Sequence, residues 1–494
     1  VFSGRVIKAD VIIKDGIICG VGSYSGENEQ DVSGKYIMPG FIDSHVHIES
    51  SMTQPSEYAK AVMPHGITTV IADPHEITNV CGEDGLEFML KSAKNIPLDV
   101  NLMLPSCVPA TPFEHTGANL DAKTTQKLAP KFFGIGEMMN YPGIVSGDDE
   151  TLGKLCLDIV DGHAPLLSGH ELDAYASAGI KTDHECSVIE EMTEKISKGM
   201  YILLREGTLS LDVAKLIKGV TPYTLRRCAF CTDDRFVGEI IRDGSIDHCI
   251  RKAVSLGLSN IDAIIMATLN ACEMYGMKNK GAIAPSYVAD IVVADDLNLS
   301  SISQVYKNGK LVCENGKALF ECETVDNSKV TNTVHLPKIS DDFFKTDVKD
   351  KFDAIELIPE SIITKKVTVS YSDSLSKVCV IERHHNLGTK GIGFVTNYGI
   401  TNGAIATSIG HDSHNVIVIG DNDSDMALAV NTLGTSGGIA VCSEGKVIAS
   451  MTLDIAGLMS VKSADEVTRE HDNLYSAAKV LNITDKIDPF LSLA

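Results

Sequence analysis

The 494-residue chain is too long for one ordinary hydrophobic core, so two or three domains are expected. Hydrophobic residues at 44% and charged residues at 22% give a globular balance, and a net charge of −23 repels nucleic acid and anionic membrane, arguing against both as partners. No run approaches the ~20 continuous apolar residues that cross a bilayer, and no basic segment leads into an apolar one as in a secretion signal. The 13 cysteines are odd in number and scattered, several inside apolar runs, which is the pattern of reduced thiols in a cytoplasmic protein. The chain opens on Val1 rather than Met, so its natural N-terminus is expected to be missing.

In chain order, residues 1 to about 37 alternate apolar and polar, and Val6–Ile13 and Ile17–Val21 read as short antiparallel strands. From residue 41 to about 280, strands alternate with helical segments. The expected strands are 41–47, 68–72, 100–104, 133–137, 159–163, 180–184, 201–205 and 228–232. Helix-like stretches between them include 57–63, 85–93, 172–178 and 188–198; the last carries Val188, Ile189, Met192 and Ile196 near 3.6-residue spacing. Eight such units are what a (β/α)8 barrel needs. An open doubly wound sheet is the alternative, but no G-x-G-x-x-G or phosphate loop supports it. After the barrel, 281–285 and 289–293 return to short strands, which are expected to pair with the N-terminal ones. The expected architecture is α/β: a TIM barrel over 38–280 inserted in a small β-sandwich of 1–37 plus 281–325. A charged link of about 322–351 then leads to a C-terminal α+β domain over 340–494, with strands at 366–370 and 439–441. The last domain holds two polar clusters, His384-His385-Asn386 and His411 to Asn415. They could bind an accessory metal, line a substrate entrance, join subunits, or form a hydrogen-bonded structural cluster.

Polar residues gather at the C-terminal ends of the eight strands, where barrel enzymes place their active sites. His45 and His47 stand two apart at the end of the first, so both imidazoles point to one face. The other strands end in Asp73-Pro74-His75-Glu76, Ser106-Cys107, Glu137 to Asn140, Asp161-Gly162-His163, Asp183-His184-Glu185, Arg205-Glu206 and Thr232-Asp233-Asp234-Arg235. Each alone reads as an ordinary structural residue. Four histidines, a glutamate and an aspartate at one end of a barrel are costly to bury together, and a pair of divalent cations is their natural partner. A competing reading joins His47-Ile48-Glu49 to Cys228 and Cys231 as a zinc nucleobase deaminase of another fold. That pattern needs proline before the first cysteine, and Arg227 stands there.

The stretches GFIDSHVHIESSM, PHGITTVIADPHEITNVCG, GIGEMMNYPGI, DGHAPLLSG, TDHE, REGT, CTDDR and GAIATSIGHDSHNVIVIGDND resemble the amidohydrolase superfamily and, more narrowly, its bacterial and archaeal adenine deaminase family. The resemblance covers nearly the whole chain. It implies that His45 and His47 bind one metal and His163 and His184 the other. Glu137 stands where many relatives carry a carbamylated lysine between the metals, and Asp233 is a further ligand. It implies Mn2+ or Fe2+, with Zn2+ possible. The implied reaction converts adenine and water to hypoxanthine and ammonia, in purine salvage. Two cations acidify a water so that it attacks C6 near neutral pH, and Asp233 passes its proton to the leaving ammonia. The N1 donor is Glu185 or Glu137, with Glu185 preferred. Asp234, Glu76 and Ser106 are candidate substrate contacts; Asp234 could equally cap a helix with Arg235. A cytoplasmic homo-oligomer, dimer or larger, is implied. A cyclic-amide hydrolase and a non-catalytic metal-binding relative are the alternatives.

Overall fold

The computed structural model describes residues 1–347, 350–359, 364–370 and 375–494. Its centre is a ring of parallel strands: Phe41–Val46, Ile67–Ala72, Asp99–Leu104, Gly134–Met138, Val160–Gly162, Thr182–Asp183, Tyr201–Arg205 and Cys228–Cys231. The first five form one sheet and the last three another. The seam between the eighth and the first strand is closed by backbone: Asp233 N donates to His45 O at 3.0 Å and His47 N to Asp233 O at 3.3 Å. At the other seam, Gly162 N donates to the Thr182 hydroxyl at 3.0 Å. Phe41–Val46 and Ile67–Ala72 are buried along their full length, as parallel strands covered on both faces must be, which is why they read as continuous apolar runs rather than alternating ones.

The second barrel helix differs from its expected 85–93. It runs His75–Lys94, with Gly82 at φ 54° interrupting it. At Gly82 the chain kinks and stays helical. The earlier start puts His75 and Glu76 in the first turn, facing the open end of the barrel, where the helix dipole favours a carboxylate.

Beneath the barrel, Tyr36–Pro39 and Ile291–Ala294 pair antiparallel and extend through Ile302–Lys307, Lys310–Glu314 and Lys317–Ala318. A separate hairpin, Asp10–Lys14 with Ile17–Gly22, packs Ile18 against Ala289, Ile291 and Val293. Two expectations are corrected here. The first strand starts at Asp10, because Val6 and Ile7 are exposed and have no partner strand. Residues 281–285 form turns, with Gly281 at φ 79°, rather than a strand.

Among the described residues the C-terminal part forms an eight-stranded sheet, in the order Thr364–Ser370, Lys351–Leu357, Lys390–Thr396, Ser376–Ile381, Val416–Gly420, Gly403–Thr407, Gly438–Ser443, Lys446–Thr452. Alternation sends its side chains to two cores. Ala404, Ala406, Val418 and Ala440 meet the helix Asp423–Thr432 on one face. Ile405, Ile419, Ile439 and Val441 share a core with barrel residues on the other. The expected link is not idle: Val334 and Ile339 are buried in the first of these cores. Positions 348 and 349 of that link lie outside the described residues. No helix among the described residues is long and apolar enough to cross a membrane.

Candidate metal centre

Six side chains converge at the C-terminal end of the barrel. His47 Nδ1 sits 2.9 Å from the Asp73 carbonyl, which can only accept, so that nitrogen carries a proton and Nε2 is the atom turned to the other converging groups. Nε2 lies 3.0 Å from Asp233 Oδ1, 3.3 Å from Glu137 Oε1 and 3.2 Å from His45 Nε2. His45 stacks on His184 with ring centres 4.1 Å apart. Glu137 stands in the middle. Its Oε1 faces His47, while Oε2 lies 2.6 Å from His163 Nδ1 and 3.2 Å from His184 Nε2. Three overlapping groups, His45–His184–Asp233, His45–His47–Glu137 and Glu137–His163–His184, each bring their donor atoms within 4.8 Å of one another. One carboxylate thus spans two sets of histidines, one oxygen to each.

Local structure holds these groups still. Asp73 Oδ2 accepts from Glu137 N at 2.8 Å, tying the second strand to the fourth. Asp43 accepts from Thr232 N at 3.0 Å and from its hydroxyl at 2.5 Å, fixing the turn in which Asp233 takes φ 58°. Burial disfavours charge on Asp233 and Glu137, yet the facing histidines hold both carboxyls well below the usual range. Burial likewise opposes charge on His45, but Asp161 and Asp233 carry its value up to about 10. Without a cation, protons therefore neutralise this cluster; a divalent metal would displace them, so its uptake depends on pH.

Arg205 is the neighbour that sequence reasoning missed. It was visible in the REGT stretch, but nothing in one dimension says what it pairs with. Its Nη1 donates to Asp233 Oδ2 at 2.8 Å and to Glu185, and its Nε to Asp212 at 3.2 Å. Glu185 also lies 3.8 Å from His184 Nε2 and 3.9 Å from His163 Nδ1, beside the centre rather than in it. Asp234 accepts from the Ser50 hydroxyl at 2.5 Å. It does not cap a helix with Arg235: the next helix starts at Val237 with Phe236 as its cap, and Arg235 donates to Glu206 O at 2.7 Å. The Ser106 hydroxyl donates to Glu137 O at 2.6 Å, so it buttresses the fourth strand. Glu76 lies beside His47 and His75, their ligating atoms within 4.8 Å of one another, and contacts His411 and His414 of the C-terminal sheet. His75 was passed over as one polar residue among many; it lies 3.4 Å from Glu137 Oε1. Cys228 and Cys231 are free and buried in strand positions.

A model of the amidohydrolase family matches residues 36–312, and one of the adenine deaminase C-terminal domain matches 357–494. An adenine deaminase of Clostridium acetobutylicum is 47% identical over 516 residues, with 100% of this chain and 90% of that protein covered. One of Nitratidesulfovibrio vulgaris is 44% identical over 514 residues, covering 100% and 89%. One of Geobacillus kaustophilus is 41% identical over 521 residues, covering 100% and 90%.

Proposed function

The chain belongs to the adenine deaminase family of amidohydrolases, and on that premise we propose that it hydrolyses adenine to hypoxanthine and ammonia. The observation that carries this reading is the convergence of His45, His47, Glu137, His163, His184 and Asp233 at the barrel's C-terminal end, all buried except the half-buried His163. The donor set fits two divalent cations: one oxygen of Glu137 faces His47 and the other faces His163 and His184, with His45 and Asp233 alongside. Imidazole and carboxylate accept manganese, iron or zinc, and the reading takes manganese or iron as the working pair. Bound there, the cations supply a water acidic enough to attack at neutral pH.

The chain's own residues do the rest. Asp233 accepts the proton of the attacking water and delivers it to the amino group leaving C6, as a general base that then turns acid. Arg205 lies between Asp233 and Glu185 and sets their spacing. Glu185 serves as the proton donor to N1, with Glu137 left between the metals. Asp234, held by Ser50, orients the ring. The setting is purine salvage in the cytoplasm, supported by 13 cysteines that are all free, as a reducing compartment keeps them. The assembled form is a homo-oligomer, which sedimentation would measure.

Absorbance tests the activity. Manganese-loaded protein incubated with adenine is expected to convert its spectrum to that of hypoxanthine, with one ammonia released per purine. An unchanged adenine spectrum from protein carrying two metals, with turnover of a cyclic amide instead, would overturn the assignment.

A further inference from the structure

A second group of metal-ligating side chains lies outside those six, where the barrel meets the C-terminal sheet. His75 and Glu76 open the helix His75–Lys94. His411, Asp412 and His414 come from the loop between the strands Gly403–Thr407 and Val416–Gly420. Glu76 Oε1 lies 3.0 Å from His411 Nδ1 and 3.4 Å from His75 Nε2. Asp412 Oδ1 lies 3.7 Å from each of the same two nitrogens. The four atoms form a closed ring of alternating nitrogen and oxygen. Ligands placed tetrahedrally at ~2.1 Å from a cation are about 3.4 Å apart. The four sides of this ring scatter around that value.

Direction separates a cation site from an ion-paired cluster. Glu76 Oε1 is buried and has no hydrogen-bond partner, although two imidazole nitrogens stand at 3.0 and 3.4 Å. Nitrogens that donate protons aim at the oxygen. Nitrogens that share an ion with it aim past it, at a common point. His75 Nδ1 is buried and unpartnered as well, 3.4 Å from Glu137 Oε1. The second oxygen of Glu76 is held separately, against His414 Nε2. His414 Nδ1 accepts from Gly410 N at 3.3 Å, and its Nε2, buried against that carboxylate, makes no hydrogen bond either. Charge balances too, because two carboxylates neutralise one dication. His411 and Asp412 are 27% and 26% exposed, so an ion has a route in.

We propose that His75, Glu76, His411 and Asp412 hold a third divalent cation, of the tetrahedral zinc class, distinct from the pair at Glu137. Two ligands come from the barrel and two from the C-terminal sheet, so the ion clamps the two together. It also fixes the far edge of His75, whose near edge lies 3.4 Å from Glu137.

Metal counting tests this without turnover. Full-length protein is stripped with a chelator, reloaded with excess zinc, desalted and analysed by mass spectrometry of the elements. Three zinc ions per chain are expected, falling to two in the His411→Ala, Asp412→Asn double variant. Two per chain in the parent protein would overturn the proposal, as would three retained in the variant. Should the variant not fold, anomalous diffraction from zinc-loaded parent crystals decides. A third peak among the four ligands supports the site, and peaks confined to the Glu137 centre refute it.

Discussion

Glu137 offers one oxygen to His47 and the other to His163 and His184, so it stands where a charge between two cations is needed. Glu137→Gln keeps the shape and removes one negative charge from the centre. Metal content and activity should fall together, read by elemental analysis beside the adenine assay; full occupancy of both sites would reassign Glu137 as a proton donor. Asp233 differs, because it is both a neighbour of His45 and His47 and the proposed proton carrier. Asp233→Asn, assayed at matched metal occupancy, should lower kcat by 10²–10⁴-fold, roughly 3–5 kcal/mol, while adenine still binds. Asp234→Asn should raise KM more than it lowers kcat; the reverse split would exchange the roles of the two aspartates. At this scale the convergence of these six side chains was legible because residue type and strand-end position together mark them. The pairing of Arg205 with Asp233 and Glu185 was not, since it joins three different strand ends. Nor was the tie of Glu76 to His411 and His414, which are more than three hundred residues away.

The barrel strands were legible as elements for a physical reason: each is an apolar run bounded by polar strand ends, and the structure extends or trims them by a residue or two. The helix from His75 starts ten residues before its expected 85, and Gly82, at φ 54°, kinks it without ending it. Glycine has another use in the fourth strand. A Cβ on Gly136 would sit 2.1 Å from Asp73 Oδ2, the atom that accepts from Glu137 N at 2.8 Å. Gly136→Ala must therefore push Asp73 or the strand aside, and overpacking of this kind costs about 1–3 kcal/mol. The displaced strand end carries Glu137 with it. The variant should show a lower denaturation midpoint together with weaker metal retention; an unchanged metal affinity would mean that Asp73 yields without moving the strand.

Stability of the whole molecule responds to acid through buried pairs away from the metals. Asp247 is buried, which opposes its charge, but hydrogen bonds from His65 and Arg251 outweigh burial and hold its pKa at about 2, below the usual carboxylate range. A depressed carboxylate contributes stability above its unfolded value and loses it as pH falls through the folded one. Near 1.36 kcal/mol per unit, about 2 kcal/mol should disappear between pH 4 and pH 2. Asp247→Asn should flatten the stability curve of the metal-free protein in that window, and an identical slope would place the acid-sensitive pair elsewhere. A larger dependence links the two halves of the chain. Ile405, Ile439 and Val467 lie in the same core as Tyr58, Val62 and Met63 of the barrel. Polar ties cross the same boundary: Ser460 N donates to Met52 O at 2.9 Å, Ala464 N to Glu57 at 3.1 Å, and the Asn415 side chain to His115 O at 2.8 Å. Cutting the chain near residue 340 bares that apolar face and leaves Glu76 buried beside no histidine from the C-terminal side. A truncated barrel is expected to be insoluble or inactive, because an uncovered apolar face of this kind drives aggregation. A soluble truncate that deaminates adenine at the full-length rate would show that the barrel holds its metal ligands in place without the C-terminal sheet.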